Sequence, residues 1–204
     1  MPMLIRDPGT SKKLIARRKA LGVDGHDEVW DGVYVMPPMA NDEHQQVIAR
    51  VTAILQDVIG WSGLGEVRPG VNITDLDKHW KKNYRVPDVA VFLRGCKAIN
   101  RNTHWLGGPD WLAEIVSPGD ESRQKLPFYA KVGVREILLI DRDPWGIELY
   151  QLRNEEMVLV GQSTLDQPDE LKSGVLPLTF RLVQGLARPV VQVTLTDGSK
   201  LWHV

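Results

Sequence analysis

The sequence predicts an α/β fold, in which a mixed sheet is flanked by at least two helices and followed by a β-rich C-terminal extension. Three observations support this class. A broad apolar stripe at helical spacing follows Asn41, two apolar runs flank a second helical segment between residues 111 and 141, and the rest of the chain is rich in short strand patterns. Strand, helix and strand in that order imply a parallel crossover within the sheet.

The composition of the 204 residues is close to that of an average globular domain, with 43% hydrophobic and 25% charged residues. No apolar run is long enough to span a bilayer, and the first residues lack the apolar stretch of a secretory signal, from which we expect a cytoplasmic protein without a membrane segment. Cys96 is the only cysteine, which excludes a multi-cysteine zinc site. Because the formal net charge is −1, any contact with DNA must be local.

Residues 1–25 are predicted to form an N-terminal helical arm, with a short amphipathic helix over residues 10–20 that ends at Gly22. Its basic residues are clustered, and they are Lys12, Lys13, Arg17, Arg18 and Lys19. They either touch phosphates or form a solvated helix face, and from the sequence we favour the solvated face.

The central part of the chain, residues 26–183, is predicted to be one domain. The segment EVWDGVYVM places Asp31-Gly32 between two β-branched and aromatic runs, which is the strongest hairpin signal in the sequence. A helix follows from Asn41 to Gly60, and either Asn41 or Asp42 can cap it. Its apolar stripe comprises Val47, Ile48, Val51, Ile54, Leu55 and Val58.

Later segments supply the other strands and one more helix. VPDVAVFL, WLAEIV and REILLID have the length and composition of buried central strands, and a helix from about residue 120 to 132 lies between the last two. IELYQL and MVLV are predicted to pair as a hairpin. Residues 184–204 form the β-rich C-terminal extension, where an Asp-Gly pair again indicates a hairpin, and this extension is our candidate for an interface in a homo-oligomer.

Two acidic residues stand in strands that the pattern predicts to be buried. Asp88 begins VPDVAVFL and Glu114 lies inside WLAEIV, where an ionised carboxylate requires a cation as partner. Oxygen ligands favour Mg²⁺ or Mn²⁺, and Lys125 in the following helix could orient water or neutralise a phosphate. The alternative is a pair of structural carboxylates bound to backbone amides or to an arginine such as Arg85.

The ordered segments EVWDGVYVMPP, NDEHQQVIARV, RVPDVAVF and LAEIVSPGDESRQKLPFYAKVGVREILLID resemble the bacterial Uma-two family of restriction-endonuclease-like proteins, a branch of the PD-(D/E)XK nucleases. The resemblance covers about residues 28–152. It implies a core of a mixed four-stranded sheet between helices, of the restriction-endonuclease-like type.

The resemblance also implies roles for individual residues. Asp88 and Glu114 would be metal ligands, joined by the backbone carbonyl of Ile115. Val116 occupies the position of the signature lysine, and Lys125 in the following helix is the matching residue. His44 could contact water or phosphate and Glu28 could add an acidic group, although a histidine near a helix start is more often exposed or a helix cap.

The leading hypothesis from the sequence is an endonuclease that hydrolyses phosphodiester bonds in DNA with Mg²⁺ or Mn²⁺. The alternative is a catalytically inactive module of the same fold that binds nucleic acid or a protein partner. Trp80 and Trp105 in polar loops could stack on unpaired bases, although burial or a subunit interface is the more common role of such tryptophans.

Overall fold

The helices and strands largely follow the sequence pattern. The computed structural model describes residues 3–5, 7–37, 40–117 and 121–204. The helices within these residues are α1 (Pro8–Ala20), α2 (Asp42–Leu55) and α3 (Leu126–Lys131); a π-helical turn (Gln56–Gly60) extends α2, and 3₁₀ turns cover Trp80–Lys82 and Ser122–Lys125. The strands are β1 (Met3–Ile5), β2 (Glu28–Trp30), β3 (Val33–Met36), β4 (Gly65–Pro69), β5 (Ile73–Thr74), β6 (Tyr84–Arg85), β7 (Val89–Leu93), β8 (Ile99–Asn100), β9 (Trp105–Leu106), β10 (Trp111–Val116), β11 (Glu136–Arg142), β12 (Trp145–Arg153), β13 (Glu156–Ser163), β14 (Leu171–Lys172), β15 (Leu178–Gln184), β16 (Pro189–Leu195) and β17 (Leu201–His203).

The main sheet has the strand order β13-β12-β11-β10-β7-β4. β10 and β11 are parallel, as the predicted crossover requires, while the other neighbours are antiparallel. The sheet is therefore mixed, and the predicted α/β class is confirmed.

Helices cover both faces of this sheet. Successive residues of a strand point to opposite faces, so alternate residues of β10 pack against different helices. Ala113 and Ile115 of β10 belong to the core that contains the apolar stripe of α2. Leu112 and Val116 lie on the other face and pack with Phe128 and Tyr129 of α3. The predicted start of this last helix at residue 120 lies outside the described residues, and its first described turn is 3₁₀.

A second sheet carries the N-terminal strands, in the order β1-β3-β2-β6-β5-β9-β8. The predicted hairpin joins β2 to β3, and its two central residues have positive φ angles, 48° at Asp31 and 86° at Gly32. This backbone geometry is that of the type I′ turn that Asp-Gly favours. The strand β6 leads from this sheet through residues 86–88 into β7 of the main sheet.

The third sheet has the order β14-β15-β16-β17, so strands on both sides of the predicted boundary at residue 183 pair with each other. Val191, Val193 and Val204 are buried in the same core as α2 and the main sheet. The division of the chain into an arm, a domain and an extension stays a prediction. No helix in the described part of the chain is both long and apolar enough to cross a membrane.

Candidate active site

The register of the main sheet brings Asp88 opposite Glu114. β7 and β10 are antiparallel, with Ala113 opposite Val89 and Leu112 opposite Ala90. Asp88 lies in a bend directly before β7, one step beyond this ladder and across from Glu114. The two carboxylates predicted from separate strands therefore meet at one point of the fold.

Asp88 is bound to the backbone of the neighbouring strand. Its Oδ2 accepts a hydrogen bond of 2.7 Å from the amide of Ile115, at the point where the ladder between β7 and β10 ends. In a strand the N–H and C=O of one residue point to the same edge, so the Ile115 carbonyl also faces the Asp88 side. The sequence thus supplies three oxygen-bearing groups at this edge: Asp88, Glu114 and the Ile115 carbonyl.

Glu114 is the most deeply buried of these groups, with 3% of its side chain exposed. Its Oε1 accepts hydrogen bonds from Tyr129 Oη at 2.5 Å and from Lys125 Nζ at 3.1 Å. Burial raises the pKa of Glu114 to about 8; the Lys125 ammonium opposes this shift, while Asp88 and Glu28 add to it. The ionised form of Glu114 is therefore electrostatically unfavourable unless a further cation lies nearby.

Lys125 lies between two carboxylates from different sheets. Its Nζ is 3.1 Å from Glu114 Oε1 in the main sheet and 3.0 Å from Glu28 Oε1 in the N-terminal sheet. Glu28 is itself fixed, because it accepts hydrogen bonds from the Val86 amide at 2.7 Å and from Trp30 Nε1 at 2.6 Å. The geometry brings Lys125, Glu28 and Glu114 together, although Lys125 reaches them from the 3₁₀ turn before α3.

The usual lysine position is filled by a side chain of the core. Val116 is 5% exposed and packs against α3. A lysine at this position would bury its ammonium among apolar side chains. Lys125, whose side chain is 12% exposed, instead reaches the carboxylates from the 3₁₀ turn before α3.

His44 lies at the start of α2 and faces the carboxylates. The helix is capped by Asn41, whose side chain accepts a hydrogen bond from the His44 amide at 2.9 Å, and His44 Nε2 is 3.5 Å from Asp88 Oδ2. The side chain is 11% exposed, and its buried Nδ1 has no hydrogen-bond partner among the described residues. The His44 ring is thus turned toward the site and does not cap the helix.

A cavity of about 250 Å³ opens onto these groups. Glu28, His44, Asp88, Glu114 and Lys125, all of which the sequence singled out, contribute to its lining. The other side of the cavity is formed by the residues that follow α1 and by the start of α2. The remaining lining residues are Arg18, Val23, His26, Asp27, Pro37, Ala40, Gln45, Ile48, Val86 and Ser117.

The donor groups around the cavity fit a hard divalent cation. Three carboxylates, Glu28, Asp88 and Glu114, face one ammonium, which leaves two negative charges when all are ionised. Among the described residues no three side chains of His, Cys, Asp and Glu are grouped closely enough to hold an ion by themselves. An ion here would depend on Asp88, Glu114, the Ile115 carbonyl and water, which matches the preference of Mg²⁺ for a few protein oxygens and several waters.

Two arrangements near the site were not indicated by the sequence. Tyr129 of α3 packs in the core, and its buried hydroxyl also donates to Glu114. Arg85, considered as a partner for the carboxylates, donates to the carbonyl of Val29 and stacks between the rings of Trp30 and Phe128, at 4.9 and 4.3 Å. The signal for Tyr129 was its spacing of four residues from Lys125, which places both on adjacent turns.

The tryptophans considered for base stacking already have ring partners. Trp105 is 8% exposed and stacks on Phe92 with ring centroids 3.6 Å apart. Trp80 stacks on His104 with centroids 4.7 Å apart. Burial, the more common role, therefore accounts for Trp105.

Comparison with known proteins assigns the family. The family model "Uma2: Putative restriction endonuclease" matches residues 22–185. The chain belongs to the Uma2 family. This match confirms the resemblance found in the sequence, and it assigns the chain to a family of nucleases.

A solved structure shares the fold of this Uma2 protein. It is described as a "putative nuclease belonging to DUF820" from Anabaena variabilis ATCC 29413 and is 22% identical in sequence. The match covers 72% of this chain and 80% of that chain, with a TM-score of 0.56. No curated protein matches the sequence.

Proposed function

We propose that this Uma2 protein is a metal-dependent endonuclease that hydrolyses phosphodiester bonds in DNA. The observation that carries the proposal is the meeting of Asp88, Glu114 and Lys125 at one edge of the main sheet, inside a cavity. Asp88, Glu114 and the Ile115 carbonyl would hold Mg²⁺ or Mn²⁺. When bound there, such an ion would polarise a phosphoryl oxygen and lower the pKa of a coordinated water.

The residues around the ligands supply the remaining parts of the reaction. Lys125 carries a positive charge 3.1 Å from Glu114, where it can offset the negative charge that develops on the phosphate in the transition state. Glu28 fixes this ammonium from the second sheet. His44 Nε2, close to Asp88, is placed to hydrogen-bond to the attacking water or to a phosphate oxygen.

Plasmid cleavage tests the proposal. Supercoiled DNA is incubated with the protein in Mg²⁺, in Mn²⁺ and in chelator, for the wild type and for Asp88→Asn and Glu114→Gln. We expect cleavage only with metal, and a loss of at least about 100-fold in both variants, because each removes a charged ligand. A parallel assay on single-stranded RNA tests the choice of DNA.

Glu136→Gln is the matched control. Glu136 is a buried carboxylate in β11, at the opposite end of the sheet, and it accepts hydrogen bonds from Ser173 and Gly174. This variant should cleave like the wild type. Equal cleavage by wild type and Glu114→Gln, or no cleavage with any metal, would contradict the proposal. Absence of Mn²⁺ binding in calorimetry would then favour a module that binds without catalysis.

A further inference from the structure

The N-terminal helix α1 concentrates positive charge in a chain that is nearly neutral. Its 13 residues include five basic side chains and no acidic one. Residues 1–25 contain six basic and two acidic residues, whereas the rest of the chain, with 19 and 24, is acidic. The net charge of −1 is thus the sum of a basic N-terminal segment and an acidic remainder of the chain.

The positive charges of α1 are exposed because the other face of the helix is anchored to the protein. At about 100° per residue, Leu14, Ile15 and Arg18 share one face. Leu14 and Ile15 pack on the cluster of Val29, Tyr34 and Met36. The rest of the helix surface carries four exposed cations, Lys12, Lys13, Arg17 and Lys19, together with the small side chains of Ala16 and Ala20.

The anchored face attaches α1 to the wall of the candidate active site. Arg18 forms a two-point ion pair with Asp27, with distances of 2.6 and 2.7 Å, and also donates to the Val23 carbonyl at 2.6 Å. Asp27 is 2% exposed and also accepts a hydrogen bond from Tyr34. Arg18, Val23 and Asp27 all line the cavity that contains Asp88 and Glu114. The end of the basic helix and the catalytic cavity are therefore parts of one surface.

We propose that α1 is a phosphate-binding arm that holds the backbone of a nucleic acid beside the catalytic cavity. This inference rests on the proposed function and extends it, since it assigns substrate binding to an element outside the matched residues 22–185. Exposed Lys and Arg side chains without acidic neighbours are suited to phosphate contacts, which supply most non-specific binding energy. Arg18 positions the arm, and the four exposed cations make the contacts.

An anionic membrane is the competing partner for a basic helix. Insertion into lipid requires an apolar face, but Leu14 and Ile15 of α1 are packed against the protein. Leu21, which follows the helix, is exposed, so vesicle binding is measured directly as an alternative outcome.

The test measures how DNA binding depends on salt. A short labelled duplex is titrated by fluorescence anisotropy in chelator, where cleavage is prevented, for the wild type and the variant Lys12→Gln/Lys13→Gln/Arg17→Gln/Lys19→Gln. Each lost phosphate contact reduces the slope of log K against log salt by about 0.9. We expect a slope shallower by about 3 to 4 and an affinity at least about tenfold lower at low salt.

A matched variant removes four cations from the far end of the main sheet: Arg94, Lys97, Arg153 and Lys172, each changed to Gln. Arg94 and Lys97 follow the end of β7 opposite Asp88, Arg153 ends β12 beside the start of β11, and Lys172 precedes the Ser173 that binds Glu136. Thermal melting verifies that both variants remain folded. The control variant should keep the wild-type slope.

Other outcomes would overturn the inference. An equal reduction of the salt slope in both variants would show a general effect of net charge. An unchanged salt slope in the α1 variant would show that α1 does not contact DNA. Tighter binding of the wild type to anionic vesicles than to DNA, lost in the α1 variant, would assign the helix to a membrane. Because DNA binding is measured without metal, a protein that binds DNA through α1 but does not cleave it would leave this inference intact. Cleavage by the wild type, together with an unchanged salt slope in the α1 variant, would overturn this inference and leave the proposed function unaffected.

Discussion

At the scale of single residues, the site is defined by a lysine that approaches its carboxylates from a helix. Lys125 lies within 3.1 Å of both Glu28 and Glu114, while Val116, at the usual lysine position, is part of the core. An ammonium therefore lies beside the two carboxylates although the signature position holds an apolar side chain.

The buried charge of Glu114 predicts a pH-dependent cost to stability. Burial raises its pKa from 4.5 to about 8, so the stability that this group contributes at low pH is lost as pH rises through that range. In the absence of metal, Glu114→Gln should therefore be more stable than the wild type at about pH 9, by more than about 1 kcal/mol. Urea unfolding measured in chelator from about pH 5 to pH 9 checks this expectation.

The sign of the effect makes this prediction specific. The advantage of Glu114→Gln should shrink toward about pH 5, where the buried carboxyl group of the wild type is neutral. A difference in stability that stays constant across the range would mean that the burial of Glu114 does not control its ionisation.

Residue types and their order predicted most of the site, but not its hydrogen bonds. Asp88 and Glu114 could be recognised because carboxylates are rare in buried strands. The hydrogen bond from Tyr129 to Glu114 was not predicted, since a tyrosine on a helix face packs equally well with or without a polar partner. The stacking of Arg85 between Trp30 and Phe128 depends on three elements far apart in sequence, and no local pattern contains it.

At the scale of secondary-structure elements, the hairpin β2–β3 determines where Glu28 lies. The turn between the strands has positive φ at Asp31 and Gly32, and the Gly32 amide donates to the carbonyl of Lys82, in the 3₁₀ turn before β6, at 3.0 Å. Glu28 begins the hairpin and holds Lys125. The conformation of a two-residue turn is thus coupled to the position of the ammonium.

Gly32→Ala tests this coupling. A Cβ at this position would meet no atom within 4 Å, so the cost comes from the backbone angle alone. We expect the free energy of unfolding to fall by about 1 kcal/mol. Gly25→Ala is the control, since its added Cβ also meets open space and no positive φ is required there. Equal effects of the two substitutions would contradict the role of the turn.

Periodicity predicted the elements better than their partners. The apolar stripe after Asn41, the Asp-Gly turn and the crossover between β10 and β11 are local signals, and the structure has all three. The pairing of β1 with β3 and the docking of α1 beside the cavity arise from contacts between distant segments. Short strands such as β8 and β9 carry too few residues for a reliable pattern.

At the scale of the whole molecule, the C-terminal strands belong to the core that supports the site. Val191, Val193 and Val204 are each at most 3% exposed and pack in the cluster that includes α2 and β10. Trp111, the first residue of β10, stacks with Phe180 of β15 at 6.0 Å. The third sheet therefore buries one face of the structure that carries Asp88 and Glu114.

Removal of residues 185–204 should therefore abolish cooperative folding. The three valines together stabilise the fold by about 5 to 9 kcal/mol, at about 1.5 to 3 kcal/mol each, which is comparable to the total stability of a domain. Differential scanning calorimetry of the truncated chain should show no cooperative transition at the wild-type melting temperature. A transition that is unchanged by truncation would instead identify residues 185–204 as an independent appendage.

Lys125 pairs with Glu28 in the N-terminal sheet and with Glu114 in the main sheet, and the ribosome synthesises these residues at different times. Glu28 is synthesised about a hundred residues before Lys125, and at about 5 to 20 residues per second this interval lasts roughly 5 to 20 seconds. During that time Asp88 and then Glu114 are added to the chain, but the ammonium that joins Glu28 to Glu114 is not yet present. A nascent chain that ends before Lys125 therefore lacks the ion pairs that connect the N-terminal sheet to the main sheet.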